Sequence, residues 1–228
     1  MTDLIKTVDD FIDALSKLRF ENTFNPYAEI CPDHDSDDAA FIRRRNLQLV
    51  LESALSNGID SIWIARDLGY RGGRRTGLAL TDELHLPWHA TLLGTPPLMR
   101  ATKGPLMAER TAGVVWHMLR TINRPVFLWN VFPLHPHVPN DPLSNRNHTR
   151  RERVACSPLL AWLIDRLKPR TIVAIGRDAQ VALKDSGFPI ASVRHPSYGG
   201  QTDFIETLAS LYDLSHVPRT HLSQGILF

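Results

Sequence analysis

The sequence of 228 residues predicts an α/β fold: a single domain with three α/β/α layers around a central, mostly parallel, four-stranded sheet. Four short apolar segments are predicted to be its strands, at 59–65, 125–132, 171–175 and 189–193. Between them lie segments in which apolar residues recur at helical spacing. Strands that alternate with helices are typical of parallel sheets covered by helices on both faces.

The segment 125–132 is a near-continuous apolar run, as expected for a strand buried on both faces. Helices are predicted at 3–20, about 39–56, about 108–122, 150–168, 177–185 and about 202–213. Long irregular segments, rich in Pro, Asn or Gly, are predicted at 21–38, 84–107 and 133–148, and such loops are often functional. We expect one domain over 1–228, with a core at about 40–213, an N-terminal helix at 3–20 and a tail at 214–228.

Composition limits the class of protein. The net charge is +2 and the sequence pI is about 8.7, so any surface for nucleic acid has to be a local patch. Two cysteines are too few for a disulfide framework, which favours a reducing compartment. The sequence carries no recognisable signal peptide and no apolar run of membrane-spanning length, so we expect a cytoplasmic protein.

Polar residues lie at the ends of three predicted strands. Asp67 follows the first strand, Asn130 lies within the second, and His195 follows the fourth. Ligands of open parallel sheets bind beyond the carboxyl ends of the strands, so these three side chains are expected to converge on one crevice. The segment 67–77 also carries four glycines and three arginines, a composition that indicates an anion site.

Four sequence blocks, in order and each at a predicted strand end, resemble motifs of the uracil-DNA glycosylase superfamily. The resemblance runs from about residue 40 to residue 212. The first two blocks resemble the strand-end motif seen as GQDPY, GEAPG or GLAPA and the segment that follows it. The third resembles a strand-borne Asn followed by a PPGNR-type loop, and the fourth resembles the HPS motif. The blocks are Ala65-Arg-Asp-Leu-Gly69, Thr76-Gly-Leu-Ala-Leu-Thr81, Leu128-Trp-Asn-Val-Phe-Pro133 with Ser144-Asn-Arg146 and Glu152, and Arg194-His-Pro-Ser197.

The resemblance implies a monofunctional DNA glycosylase of base excision repair that removes uracil without a lyase step, with other deaminated bases as further candidate substrates. It implies that Asp67 positions the attacking water and stabilises the cationic sugar, and that His195 hydrogen-bonds the departing base. Asn130 would recognise the pyrimidine edge, because an amide can match N3–H and O4 of uracil but not the opposite pattern of cytosine. The nucleotide has to leave the helix stack to reach such a site.

The same resemblance suggests further contacts. Base contacts are expected from Gly69, Tyr70, Leu80 and Phe132. The Asp-bearing branch carries a Tyr where this chain has Gly69, which predicts a more permissive pocket unless Tyr70 fills the space. Leu80 replaces a stacking Phe, so Phe132 is expected to stack on the base. DNA contacts are expected from Arg71, Arg74, Arg75, Arg146, Arg194, Ser197 and Tyr198, of which Tyr198 could wedge into the gap left by the flipped base.

No cofactor and no metal are expected. Related branches hold an iron–sulfur cluster with four cysteines, and Cys156 resembles one ligand position. With Cys31 as the only other thiol, four ligands cannot be supplied. The histidines His135, His137 and His148 match no standard metal-ligand spacing, and their roles stay open. The expected partner is single- or double-stranded DNA that contains uracil or another deaminated base, bound by a monomer with no membrane association.

Two alternatives remain at this point. One is a protein of the same fold that binds uracil-DNA or abasic sites with little turnover. The other is a nucleotide-binding metabolic enzyme on a Rossmann-like sheet. The second would require a GxGxxG fingerprint after the first strand, which the glycine pair at 72–73 does not supply.

Overall fold

The protein is described by a computed structural model over residues 5–184 and 187–217. Four parallel strands form the central sheet in the spatial order β3-β2-β5-β6, and β1 pairs with β4 in a separate antiparallel ribbon. The strands are β1 (Thr23–Phe24), β2 (Ser61–Asp67), β3 (Val126–Phe132), β4 (His135–Pro136), β5 (Thr171–Ile175) and β6 (Ile190–Val193).

Helices connect the strands and cover the sheet. Two of them begin with a capping box, in which Thr7 or Thr149 and a carboxylate three residues later satisfy each other's backbone N–H groups. The helices are α1 (Val8–Ser16), α2 (Ala39–Asn57), α3 (Gly73–Thr76), α4 (Leu86–Leu93), α5 (Arg110–Ile122), α6 (Arg150–Leu167), α7 (Arg177–Leu183) and α8 (Gln201–Leu211), with a 3-10 turn at Glu83–His85.

The core lies in two clusters on the two faces of the sheet. One cluster includes Trp129 of β3 with apolar residues of α1, α2 and α6. The other includes Trp63 of β2 with apolar residues of α5 and α8. All seven residues of β3 are buried, in agreement with its unbroken apolar sequence. The predicted α/β fold with a four-stranded parallel sheet between helical layers is therefore confirmed.

The structure corrects several predicted boundaries. β2 ends at Asp67 rather than at residue 65, so this carboxylate is the last residue of the strand and does not follow it. The first helix starts at residue 8, where the capping box of Thr7 sets its beginning. The predicted loop 133–148 contains β4, which is too short to give a periodic signal. Of the predicted tail, residues 218–228 lie outside the described part of the chain.

The register of the strands determines which residues lie side by side near the site. Ala65 of β2 is level with Asn130 of β3, and Asp67 is level with Phe132. On the other side, Ile175 of β5 is level with Val193 of β6. Because all four strands are parallel, their carboxyl ends and the loops that follow them meet at one edge of the sheet.

Candidate active site

A cavity of about 520 Å³ opens at this edge of the sheet. Asp67 and His195 both line it, so the structure brings together two of the three polar side chains that the sequence placed at strand ends. Its wall comes from the ends of β2 and β5, the loop after β2, the start of α5 and the turn after β6. The lining residues include Ala65, Arg66, Gly69, Leu80, Glu109, Asn145, Asn147, Gly176, Arg177, Asp178, Ser197 and Tyr198.

Asp67 is held from two sides. The Nε of Arg66 donates a hydrogen bond of 2.9 Å to Asp67 Oδ2. Nδ1 of His148 lies 3.5 Å from the same oxygen, and the His148 side chain is only 2% exposed. Arg66 also reaches Asp178, at 3.9 Å. The Asp67 side chain is 8% exposed, so the carboxylate is largely shielded from water and fixed in orientation at the cavity wall.

His195 is fixed in one tautomer by the turn that follows it. The backbone N–H of Ser197 donates to His195 Nδ1 at 3.2 Å, and Ser197 Oγ lies 2.7 Å from the same nitrogen. Since Nδ1 accepts, the proton of the neutral ring resides on Nε2. Burial, aided by the Arg66 guanidinium, lowers the pKa of His195. The ring is therefore neutral at pH 7 and offers an Nε2–H donor.

Gly176 makes room for this imidazole. It follows β5 with φ 82° and ψ 166°, a conformation that is nearly restricted to glycine. A Cβ at Gly176 would lie 3.3 Å from His195 Cβ. Gly176, which ends the strand predicted at 171–175, therefore leaves space for His195, which follows the strand predicted at 189–193.

Asn130 lies in the buried strand β3, next to the cavity. It is 1% exposed and is the register partner of Ala65, which lines the cavity. Both amide atoms, Nδ2 and Oδ1, lack a hydrogen-bond partner within the described residues. A buried amide with neither group satisfied is rare, because each unpaired group costs about 1–3 kcal/mol. Asn130 is not itself part of the cavity wall.

Gly69 contacts a carboxyl group that the sequence did not lead us to expect. A Cβ at Gly69 would lie 3.0 Å from Glu109 Oε1, and one at Gly72 would overlap Glu109 Oε2. Burial and the nearby Asp82 carboxylate raise the pKa of Glu109 to about 7. The space opened by Gly69 is thus partly occupied by Glu109, which corrects the prediction of a simply more open pocket.

Comparison with known families identifies the superfamily of this chain. A sequence profile described as Uracil DNA glycosylase superfamily matches residues 77–213, more than half of the chain. The chain belongs to the uracil DNA glycosylase superfamily. The resemblance predicted from the four sequence blocks is confirmed. Membership supports a DNA glycosylase that binds DNA as its substrate. Asp67 precedes the matched segment, so its assignment depends on the geometry of the site.

A solved relative has the same fold. The crystal structure of WT Pedobacter heparinus SMUG2 matches with a TM-score of 0.59 and 15% sequence identity, over 90% of this chain and 96% of that chain. At this level of identity the likeness establishes the fold alone. No curated protein sequence matches the chain.

Several of the residues expected to contact DNA are exposed on the surface of the protein. Tyr198 is 98% exposed and has φ 51°, an uncommon conformation for a bulky residue. Arg194 is exposed and pairs with Asp203 at 2.7 Å. Arg71 is exposed, and its Nε donates to Tyr70 Oη at 2.7 Å. These groups are accessible to a nucleic-acid backbone.

Three other arginines expected to contact phosphate have structural roles instead. Arg74 is 2% exposed and lies 4.0 Å over the ring of Phe24. Arg75 is 6% exposed and pairs with Glu83 at 3.3 Å. The helical turn α3 directs both side chains inward, which a composition rich in glycine and arginine does not indicate.

Arg146 is also committed to the fold. It pairs with Glu152 at 2.6 Å and donates to backbone carbonyls at residues 21, 22, 137 and 147. The hydrogen bonds that the Arg146 guanidinium donates to Glu152 are the main cause of the raised pKa of Arg146. It therefore fastens the 133–148 loop to the segment before β1 and does not face the cavity.

Two predicted base contacts are not brought to the cavity. Phe132 is fully buried and packs against Phe20 and His148, with ring centroids 5.5 Å and 5.7 Å away. It belongs to the core cluster beneath the site. Tyr70 is half-buried, and its backbone N–H bonds Asn145 Oδ1 at 3.1 Å outside the cavity wall. Leu80 does line the cavity, with φ 54°.

Sequence reasoning missed Glu109 and gave His148 no role. Glu109 immediately precedes α5, and its only signal was a carboxylate at a predicted helix start. His148 lies just before the capping box of α6, which positions it beside Asp67. Its sequence block resembled a known motif only at the neighbouring 144–146, so no pattern singled it out.

The part of the chain that the structure describes contains neither a cluster of metal ligands nor a helix that could span a membrane. Within residues 5–184 and 187–217, no group of three His, Cys, Asp or Glu side chains could hold a metal ion. Cys156 is 1% exposed in the core, and burial raises its pKa to about 12. Among the helices of the described chain, none has the length and apolar character needed to cross a bilayer.

Proposed function

We propose that this protein hydrolyses the N-glycosidic bond of uracil in DNA and leaves an abasic site. The observation that carries the proposal is the pair formed by Asp67 and a neutral His195, which face one cavity at the sheet edge. Breaking this bond places positive charge on the sugar and negative charge on the base, and the two side chains suit those two charges.

Asp67 serves the sugar side of the reaction. Its carboxylate stabilises positive charge at C1′ and accepts a proton from the water whose oxygen forms the new C1′–O bond. Arg66 and His148 hold the carboxylate in position, with contacts of 2.9 Å and 3.5 Å. A group fixed before the reaction loses little free energy to reorganisation, which makes its charge effective.

His195 serves the leaving base. As the C1′–N bond breaks, its electron pair passes to the base, whose carbonyl oxygens gain negative charge. The Nε2–H of the neutral imidazole donates to such an oxygen, while Ser197 holds Nδ1. A neutral ring is sufficient here, because the hydrogen bond strengthens as the charge on the oxygen develops.

Recognition of the base and the strand uses the surrounding residues. The unsatisfied amide of Asn130 gains the partners it lacks when a uracil edge presents one donor and one acceptor. The exposed Arg71 and Arg194 contact phosphates together with Ser197 of the cavity wall, and the exposed Tyr198 enters the gap left by the extruded nucleotide.

The test is cleavage of a labelled oligonucleotide that contains one uracil, followed by alkali to cut the abasic product. The wild type is expected to cut this strand and to leave a matched thymine strand intact. A shifted band that survives a denaturing gel, without free product, would indicate capture of the lesion and not turnover. Absence of both cutting and capture on any deaminated base would contradict the proposal.

A further inference from the structure

The carboxyl group of Glu109 is a polar feature of the cavity that the reaction above does not use. Within the described residues, its oxygens accept no hydrogen bond and form no ion pair within 4 Å. Its hydrogen bonds within the described residues come from the backbone: the N–H donates to Asp82 Oδ2 at 2.7 Å, and the C=O accepts from the N–H of Gly113 at 3.0 Å. It lines the cavity on the side of Gly69, and its oxygens lie against the glycine backbone at 69 and 72.

The absence of a side chain at Gly69 and Gly72 leaves the space that the Glu109 carboxyl occupies. Any Cβ at Gly72 would collide with the carboxyl, and one at Gly69 would crowd it. An unpaired carboxyl in a partly dry cavity is costly unless a ligand pairs with it. Its position also fits a ligand, because it shares the cavity with Asp67 and His195.

On the basis of the proposed function, we infer that Glu109 is a specificity-determining residue. Its neutral carboxyl donates a hydrogen bond to a carbonyl oxygen on the edge of the flipped base. Deamination of cytosine, adenine or guanine replaces an exocyclic amine, which donates, with a carbonyl oxygen, which accepts. An O–H donor in the wall therefore favours deaminated bases as a class over their parents.

The protonation state decides which base is favoured. Below its pKa of about 7, the carboxyl is neutral and can donate to the carbonyl oxygen. As the pH rises through that value, the ionised group only accepts and its charge opposes the same oxygen. The group thus favours carbonyl-bearing bases at pH 6 and loses that preference at pH 8.

Other charged groups share the cavity with Glu109, namely Arg66, Asp67, Arg177, Asp178 and His195, and His148 lies beside Asp67. Asp82 raises and Arg71 lowers the pKa of Glu109, while His85 pairs with Asp82 at 2.5 Å. Across the cavity, burial lowers the pKa of His195 from its ordinary value, so the imidazole loses its proton at lower pH than Glu109 does. An alkaline decline near pH 7 is assigned to Glu109 only when the substitution Glu109→Gln abolishes it.

The experiment compares the wild type, Glu109→Gln and Glu206→Gln between pH 6 and pH 8. The glutamine at 109 keeps an N–H donor but cannot titrate. Glu206 is exposed on α8, so Glu206→Gln makes the same charge change away from the cavity. Two readouts are used: single-turnover cleavage of uracil and hypoxanthine strands, and anisotropy with strands that carry uncleavable 2′-fluoro deoxyuridine or 2′-fluoro deoxycytidine.

For the wild type and Glu206→Gln, we expect cleavage, and the preference for the uridine analogue over cytidine, to fall about tenfold from pH 6 to pH 8. For Glu109→Gln, both should stay within about twofold over this range. A raised carboxyl pKa destabilises the folded state as pH rises from 4.5 to 7, so Glu109→Gln should melt no earlier than the wild type at pH 8.

The two readouts separate the inference from the proposed function. If the wild type cuts nothing but its base preference in binding still declines with pH, the hydrolysis proposal fails and the role of Glu109 stands. A wild type with no pH-dependent preference in either readout overturns the inference. So does a Glu109→Gln variant that declines as steeply as the wild type.

Discussion

Replacing Asp67 with Asn tests the catalytic assignment most directly. The substitution preserves shape and one acceptor but removes the negative charge from a side chain that is 8% exposed. For a charge about 4 Å from the developing sugar cation, at an effective dielectric constant of about 20, the lost attraction is about 4 kcal/mol. Since about 1.4 kcal/mol corresponds to tenfold in rate, cleavage should slow about 10³-fold.

The assay is single-turnover cleavage of the uracil strand, with Asp165→Asn as the matched control. Asp165 is exposed on α6, away from the cavity, and makes the same loss of charge. Asp165→Asn should retain the wild-type rate. The thermal midpoint of Asp67→Asn should stay within about 4 °C, because the ion pair with half-exposed Arg66 is worth at most about 1 kcal/mol. A rate within about threefold of the wild type, where about 10³-fold is expected, would refute the catalytic role of Asp67.

Four further perturbations follow from the geometry. Gly176→Ala should slow cleavage roughly 10²-fold by displacing the neighbouring imidazole, as measured at saturating DNA, and an unchanged rate would contradict that packing. His148→Gln should slow cleavage roughly tenfold with unchanged DNA affinity, whereas His137→Gln, outside the cavity, should have no effect. Arg75→Ala should cost about 3 kcal/mol by leaving a buried carboxylate short of one partner, lowering the thermal midpoint by about 6–12 °C. Arg71→Ala should leave that midpoint unchanged and reduce the salt dependence of DNA binding by about one charge; the reverse pattern for this pair would refute the division into structural and DNA-facing arginines.

The convergence of the site could be predicted because topology alone determines it. Alternating strands and helices imply a parallel sheet, and parallel strands end at one edge. Asp67 and His195 needed no further information to be placed in one cavity. Asn130 was placed in the correct strand, but its burial beneath the wall depends on its register with Ala65. Register is a tertiary property that a single strand sequence does not encode.

The arginines show that composition alone does not predict which side chains are free to contact phosphate. Arg71 and Arg75 are four residues apart in one glycine-rich segment, and nothing local separates them. The turn α3 aims Arg75 at Glu83, whose carboxylate is buried near Thr102 and the backbone N–H of Met107. The glycine- and arginine-rich composition therefore predicts phosphate contact correctly only for side chains that remain exposed in the folded protein.

Gly69 shows most clearly why the substrate range could not be predicted from the sequence. In sequence, the loss of a tyrosine wall predicts empty space, because only the residue at that position is visible. In the folded chain, the same space is filled from a distant segment by Glu109, which enters from the start of α5. A bulky wall excludes bases by size, whereas a carboxyl with a pKa of about 7 selects them by hydrogen bonding. A Cβ at residue 69 or 72 would displace the carboxyl end of Glu109, so enlarging either residue should impair base selection before it narrows the entrance.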